Sequence, residues 1–169
     1  MAINARDLHG STMNHLSAGV ALGTTSTITT TAATNAAIGG KFTTAYGVAA
    51  NTAITSPTVD YTTLAAFATI PATPSATVIV LGVTGAGLLR AAQGTIVPTA
   101  TGTGSTAGAF INAPQFPALP DDFCPIAYVL VRNSPNASAF TAFTSSWTAT
   151  GITTSVTQIA NLPDRPQII

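Results

Sequence analysis

The chain contains no Glu and a single Lys, Lys41, in 169 residues. Exposed helix surfaces are normally built from Glu, Lys, Gln, Arg and Leu, so this sequence lacks the material for them. Thr, Val, Ile and aromatic residues take their place, and Gly and Pro interrupt them at short intervals. That combination favours short strands joined by turns. The expected fold is all-β: a β-sandwich or jelly-roll-like domain with an extended N-terminal arm and a C-terminal tail. A chain of this length buries roughly 70% of its unfolded surface, enough for one core without disulfides or metals.

The same shortage of ions bears on partners. Charged residues are 6% of the sequence, against about 25% in ordinary soluble domains. Disordered chains are usually charged and poor in β-branched residues, which this one is not. The reading that remains is a surface covered by neighbours, since low net charge favours association. The cations Arg6, Lys41, Arg90, Arg132 and Arg165 are scattered. They form no basic patch, which argues against nucleic-acid binding. Uncharged stretches such as 61–89 are broken by Pro71, Pro74, Gly82, Gly85 and Gly87. That pattern argues against a transmembrane helix. The start, Met1 to Asp7, lacks the apolar run of a signal peptide, so a product made, kept and assembled in a cytoplasm is expected.

Residues 1–17 read as an arm, 18–161 as the sandwich and 162–169 as an extended tail. Strands are expected over 19–31 and 41–49, joined by a segment ending at Gly39-Gly40. Phe42, Thr44, Tyr46 and Val48 would share one strand face, because side chains alternate. The clearest hairpin is Ala76–Val83, turn 84–87, and return strand Leu88–Val97. Ala76–Val83 is apolar on both faces, as a central buried strand would be. Residues 98–108 read as a surface loop. Three prolines between Phe116 and Pro125 predict a rigid connector without regular structure. Ile126–Arg132 is the strongest strand, 133–136 a turn, and 151–159 a last strand.

Chemistry is hard to place on these residues. Asp7, His9, Ser11 and His15 are close in sequence and could suggest a hydrolytic cluster, but they lie in the arm, and catalysis needs rigid placement. Asp121 and Asp122 are adjacent and would point apart in an extended chain, so a solvated turn is the better reading than a glycosidase pair. No spacing of His, Cys and Asp matches a metal cage, and Cys124 reads as a small buried residue. The Gly82–Gly87 stretch lacks the Lys-Ser/Thr pair and the helix of a phosphate loop. No catalytic residue, cofactor or metal is expected. Thr-rich faces instead suit permanent interfaces, being half apolar with hydroxyls that satisfy one another.

One resemblance is carried by particular segments: Phe116-Pro-Ala-Leu-Pro120, then Pro125-Ile-Ala-Tyr-Val-Leu-Val131, Ala139-Phe-Thr, Thr150-Gly-Ile-Thr and the closing Leu162-Pro163. Gly40-Lys41-Phe42-Thr43 and Gln93-Gly94 add to it. Together they resemble small virion proteins of tailed bacteriophages, of the capsid-decoration or head-fibre kind. Ala127 departs from the Gly common at that position, and the N-terminal arm lies outside the similarity. The resemblance implies an all-β, often trimeric protein that clamps or ornaments the capsid shell. Its partner would be the major capsid protein, its location the virion, and it would have no catalytic residues. Contact residues are expected in the arm (Asn4, Arg6, Asp7, His9) and the tail (Asp164, Arg165). Phe140, Phe143 and Trp147 are read either as anchors of a subunit seam or as plain core packing. The alternative function is a tail or head fibre component that binds a host surface glycan, with Trp147 as its candidate stacking residue.

Overall fold

The computed structural model describes residues 13–14, 19–23, 25–38, 45–49, 51–54 and 59–159. Every regular element among them is a strand. In chain order these are β1 (Met13–Asn14), β2 (Val20–Leu22), β3 (Ile28–Thr30), β4 (Thr34–Ala37), β5 (Ala45–Val48) and β6 (Ala53–Ile54). Then follow β7 (Ser75–Thr84), β8 (Leu89–Gln93), β9 (Val97–Pro98), β10 (Phe123–Asn133) and β11 (Ile152–Gln158). The result is the expected all-β, sandwich-like domain.

The main sheet has the order β11-β10-β7-β8, with β9 pairing to the start of β7. All its pairings are antiparallel. The two longest strands, β7 and β10, are its centre. All ten residues of β7 are buried, and of β10 only Arg132 is partly open. A strand covered on both faces has no solvent side to mark with polar residues, which is why 76–83 lacks alternation.

Different material covers each face of this sheet. On one face Ile79, Leu81, Val83, Val129 and Val131 pack against Val20, Ile28, Phe67, Ile70, Phe140, Phe143 and Trp147. The small sheet β2-β3-β6 and the 137–147 segment supply this cover. At one end of the same strands Cys124 packs on Ala36 and Ile38, next to the other small sheet, β1-β4-β5. On the opposite face Val78, Val80, Tyr128 and Leu130 are covered by Phe110, Phe116 and Leu119. The proline-rich connector is therefore a lid over a sheet face, its rings held by contacts such as Phe116 edge-on to Tyr128 at 5.2 Å.

The β7–β8 hairpin forms where expected. Thr84 N–H donates to Leu88 O and Gly87 N–H to Thr84 O, and Gly87 takes φ 72°. That left-handed conformation is the one a residue without Cβ adopts freely. The return strand is shorter than expected. Ile79 pairs with Gln93 but Ser75 with Pro98, so one extra residue bulges out between β8 and β9.

Three other expectations need correction. Residues 19–31 are a hairpin rather than one strand, β2 turning back as β3 through a bond from Gly23 N–H to Thr27 O. The connector ends earlier than its prolines suggest, because β10 begins at Phe123 and contains Pro125. The pairing slips by one residue between Pro125 and Ala127, and β11 joins only from Ala127 onward. A bulge flanked by one strand is a place where a missing N–H is tolerated. Finally, Met13 and Asn14, inside the segment read as an arm, pair with Ala37 and Ala36 of β4. The shared face of Phe42, Thr44, Tyr46 and Val48, the Gly39-Gly40 turn and the tail 162–169 lie outside the residues or side chains described.

Candidate interaction surface

An elaborated surface feature is built from the loop after residue 59 and the end of the connector. Asp60 starts it. Its side chain is buried, and both carboxylate oxygens accept hydrogen bonds. Oδ1 takes Thr62 N–H at 2.8 Å, Thr62 Oγ1–H at 2.6 Å and Thr63 N–H at 3.1 Å. Oδ2 takes Gln93 N–H from β8 at 2.5 Å. Asp followed by Thr at the second and third positions is a local turn former, since the carboxylate bonds its own downstream N–H groups. The loop is closed by Leu64 N–H to Asp60 O and Asp60 N–H to Ala65 O. Tyr61 N–H donates to Ala91 O, so the loop also seals the outer edge of β8.

At the tip of this loop Leu64 has φ 55° and is 77% exposed. A bulky residue in the left-handed region stores backbone strain, and an exposed Leu gains nothing from the core. Beside it lies an open depression of about 350 Å³ lined by Tyr61, Thr62, Leu64, Ala118, Leu119, Pro120 and Asp122. Pro120 begins a turn in which Phe123 N–H donates to Pro120 O, leaving Asp121 and Asp122 exposed. The solvated-turn reading of those two carboxylates therefore stands.

Tyr61 ties the two halves together. Its ring lies 5.6 Å from that of Phe123, and its hydroxyl donates to Asp122 Oδ2 at 2.6 Å. That hydrogen bond, followed by desolvation and the charge of Asp122, holds the phenol above its usual pKa, while Arg90 pulls the other way. The two described arginines bond to carbonyls rather than to carboxylates: Arg90 to Leu89 O and Arg132 to Gly108 O. Arg132 also stacks over the Phe110 ring at 5.1 Å.

The residues singled out from sequence fall elsewhere. Phe140, Phe143 and Trp147 form one aromatic cluster with centroid spacings of 5.2 and 5.5 Å, and all three are buried. Core packing is the role the structure gives them. Trp147 offers no open face for a sugar. Asn4, Arg6, Asp7, His9, Ser11, His15, Asp164 and Arg165 lie outside the described residues. Cys124 is fully buried in β10, and burial pushes its thiol up to about 12. Among the described residues no group of three or more His, Cys, Asp or Glu comes together.

Sequence reasoning passed over Asp60, Tyr61 and Leu64. The Asp-x-Thr-Thr signal for a capped turn was there to be read. The strained, outward Leu64 had no signature in the sequence. Comparison with protein-family models, with curated proteins and with solved structures finds no match to this chain.

Proposed function

We propose that the chain is a virion structural protein, a capsid decoration or cement subunit that binds the shell of the major capsid protein and acts as a homo-oligomer. The observation that carries this reading is the nearly ion-free exterior. Among the described residues the ionic side chains are Asp60, Arg90, Asp121, Asp122 and Arg132. Asp60 is buried and Arg132 is folded onto Phe110. Asp121 and Asp122 are the exposed ions and Arg90 is half-buried; the rest of the described exterior is mostly Thr, Ala, Ser, Gly and Pro, with Val59, Leu64, Leu88 and Ile111 exposed among them. Such surfaces lose little when a neighbour removes their water, whereas buried unpaired charges cost several kcal/mol. Many weak contacts to a repeating lattice then add up. The resemblance over 116–131 supports the phage setting, and the segment it covers is the lid and central strand of the sheet.

The test is to isolate particles made from the genome that encodes this chain, count its copies by quantitative mass spectrometry and image the shell. Many copies per particle at repeating positions on the shell are expected. Absence from particles, or a few copies at the tail alone, defeats the reading.

A further inference from the structure

We infer that the outer edge of β11 is a pairing surface for the β11 of a second copy, the two strands running antiparallel across a twofold axis so that the main sheets of two molecules become one. This deepens the homo-oligomer part of the reading above and rests on that part alone.

The first observation is the set of backbone groups along that edge. Ser134 N–H donates to Gly151 O and Ile159 N–H to Ile126 O, one at each end of the β10–β11 ladder. Successive residues of a strand turn their backbone groups to alternate sides. Thr153, Ser155 and Thr157 therefore bond to β10, while Ile152, Thr154, Val156 and Gln158 point away from it. Ile152 N–H is taken by Ala149 O in the preceding turn. Among the described residues nothing bonds to the N–H or C=O of Thr154 or Val156. Strand β2 does not fill this edge. Gln158 reaches Val20 O through its side chain, which lies on the same face as Ile152 and Val156, and Val20 belongs to the apolar cluster covering that face. The bond ties one layer of the sandwich to the other and leaves the edge as it is.

The second observation is that β11 is its own complement. Pairing a strand with a copy of itself sets like residues opposite one another near the axis, and like charges in that position repel. The sequence Ile-Thr-Thr-Ser-Val-Thr-Gln carries no charge, and no Pro or Gly to break a ladder. With the axis at Ser155, Thr154 pairs with the partner's Val156 and Val156 with the partner's Thr154. Gln158 N–H then meets the partner's Ile152 O, for about six backbone hydrogen bonds in all. On one face Thr153 stands opposite the partner's Thr157 and Ser155 opposite the partner's Ser155, hydroxyl against hydroxyl, a favourable cross-strand pairing. On the other face the partly buried Ile152 and Val156 extend the apolar side of both sheets. A twofold contact of this kind uses the edge completely, so association on this side closes at two copies.

The third observation concerns the chain that follows β11. It carries Pro163 and Pro166, three residues apart. A strand folded back from there to cover Thr154 to Gln158 would include both prolines. Positions three apart face opposite sides, so in any register one of the two would turn its missing N–H toward β11. The β11 of a second copy has every N–H that the edge calls for.

The experiment places substitutions at Ser155, the residue on the axis, and reads them by sedimentation equilibrium. The full chain should self-associate. Ser155→Lys and Ser155→Glu each set like charges opposite one another and should raise the dissociation constant about tenfold or more. An equal mixture of the two variants should associate again, because opposite charges then meet. Ser155→Cys should cross-link to a disulfide dimer on mild oxidation, since Cys124 is buried and out of reach. Thr154→Pro removes an outward N–H without touching the β10 ladder, and should also weaken association about tenfold or more. Circular dichroism checks that each variant keeps the parent's strands. A monomeric full chain overturns the inference, with the edge then left to the chain's own residues. So does association that ignores Ser155→Lys and Thr154→Pro, a mixture that stays dissociated, or a folded Ser155→Cys variant that does not cross-link. Association that ignores these changes leaves the homo-oligomer standing while this edge falls, so the two readings fail separately. Shell binding is read on particles and does not depend on either.

Discussion

Asp60→Asn replaces one atom and should cost far more than an ordinary surface change. The carboxylate has a three-donor oxygen and a one-donor oxygen, with no hydrogen of its own. The amide that replaces it can keep its oxygen on Thr62 and Thr63, which places its NH2 against the Gln93 N–H. The opposite rotamer is worse, setting the NH2 against three donors. In the better case a buried β8 amide loses its acceptor and three charge-assisted bonds become neutral. An unsatisfied buried donor costs about 1–3 kcal/mol, and bonds to a charged group exceed neutral ones by roughly 1 kcal/mol each. Thr62 and Thr63 are near enough to solvent for water to recover part of that loss. The net expectation is about 2–4 kcal/mol. For a chain of this size, each kcal/mol lowers Tm by about 2–4 °C. Urea unfolding should show a lower midpoint with unchanged slope, because the surface exposed on unfolding stays the same. Amide exchange should quicken first at Gln93 and Leu64. A variant within about 0.5 kcal/mol of the parent, the range of ordinary surface changes, would refute the claim that this carboxylate holds the loop to β8.

Other substitutions test other parts of the fold. Gly82→Ala places a Cβ within 2.5 Å of the Phe123 ring and the Cys124 carbonyl, so it should destabilise by about 3 kcal/mol in chemical denaturation. Trp147→Ala removes a fully buried ring and should cost about 3–5 kcal/mol, while Trp147→Phe should cost much less because the indole Nε1 has no partner to lose. Calorimetry of the pair checks this, and equal losses would contradict it. The Cys124 thiol is raised from 9.0 to about 12 by burial. The unfolded chain therefore releases its proton first. The stability this proton confers is complete below about pH 9 and is lost as pH climbs toward 12. Urea midpoints should fall over that range and fall less in Cys124→Ala, and a thiol reagent should label the native protein only as fast as it unfolds.

The strand programme was readable where burial is two-sided. Residues 76–83 and 126–132 carry no polar alternation because sheet β11-β10-β7-β8 is covered above and below, and a run of that kind has few other places to sit. The hairpin turn at Thr84 was readable because Gly87 supplies the conformation such a turn requires. Pro125 misled because its penalty depends on which neighbours a strand has. Inside a paired stretch it would break the ladder, but at a bulge flanked by β7 alone it does not. Residues 19–31 misled because Thr-rich sequence has no face preference strong enough to distinguish one strand from two. The candidate surface was least readable. Tyr61 meets Phe123 and Asp122 from about sixty residues away, and no local pattern announces such a meeting.

Low charge falls in two different settings among the described residues. Strand β7 is uncharged and β10 carries only Arg132, at its one partly open position, because the domain's own layers enclose them, and any two-layered fold would require as much. Strand β11 is different. It is the last strand of its sheet, half-open along Ile152–Thr157, and no described strand pairs with its outer edge. Edge strands in freely soluble proteins usually carry Lys, Pro or a bulge that blocks further pairing. Ile-Thr-Thr-Ser-Val-Thr-Gln has none of these, and toward β2 Gln158 Nε2 donates to Val20 O. The exposed tip of the Asp60 loop is likewise a Leu where a free surface would favour an ion. Burial among the described residues thus accounts for the missing charge at the centre of the sheet and leaves the edge and the loop open. On the proposed reading neighbouring molecules cover those two places, and it is there that an introduced Lys should disturb assembly before it disturbs folding.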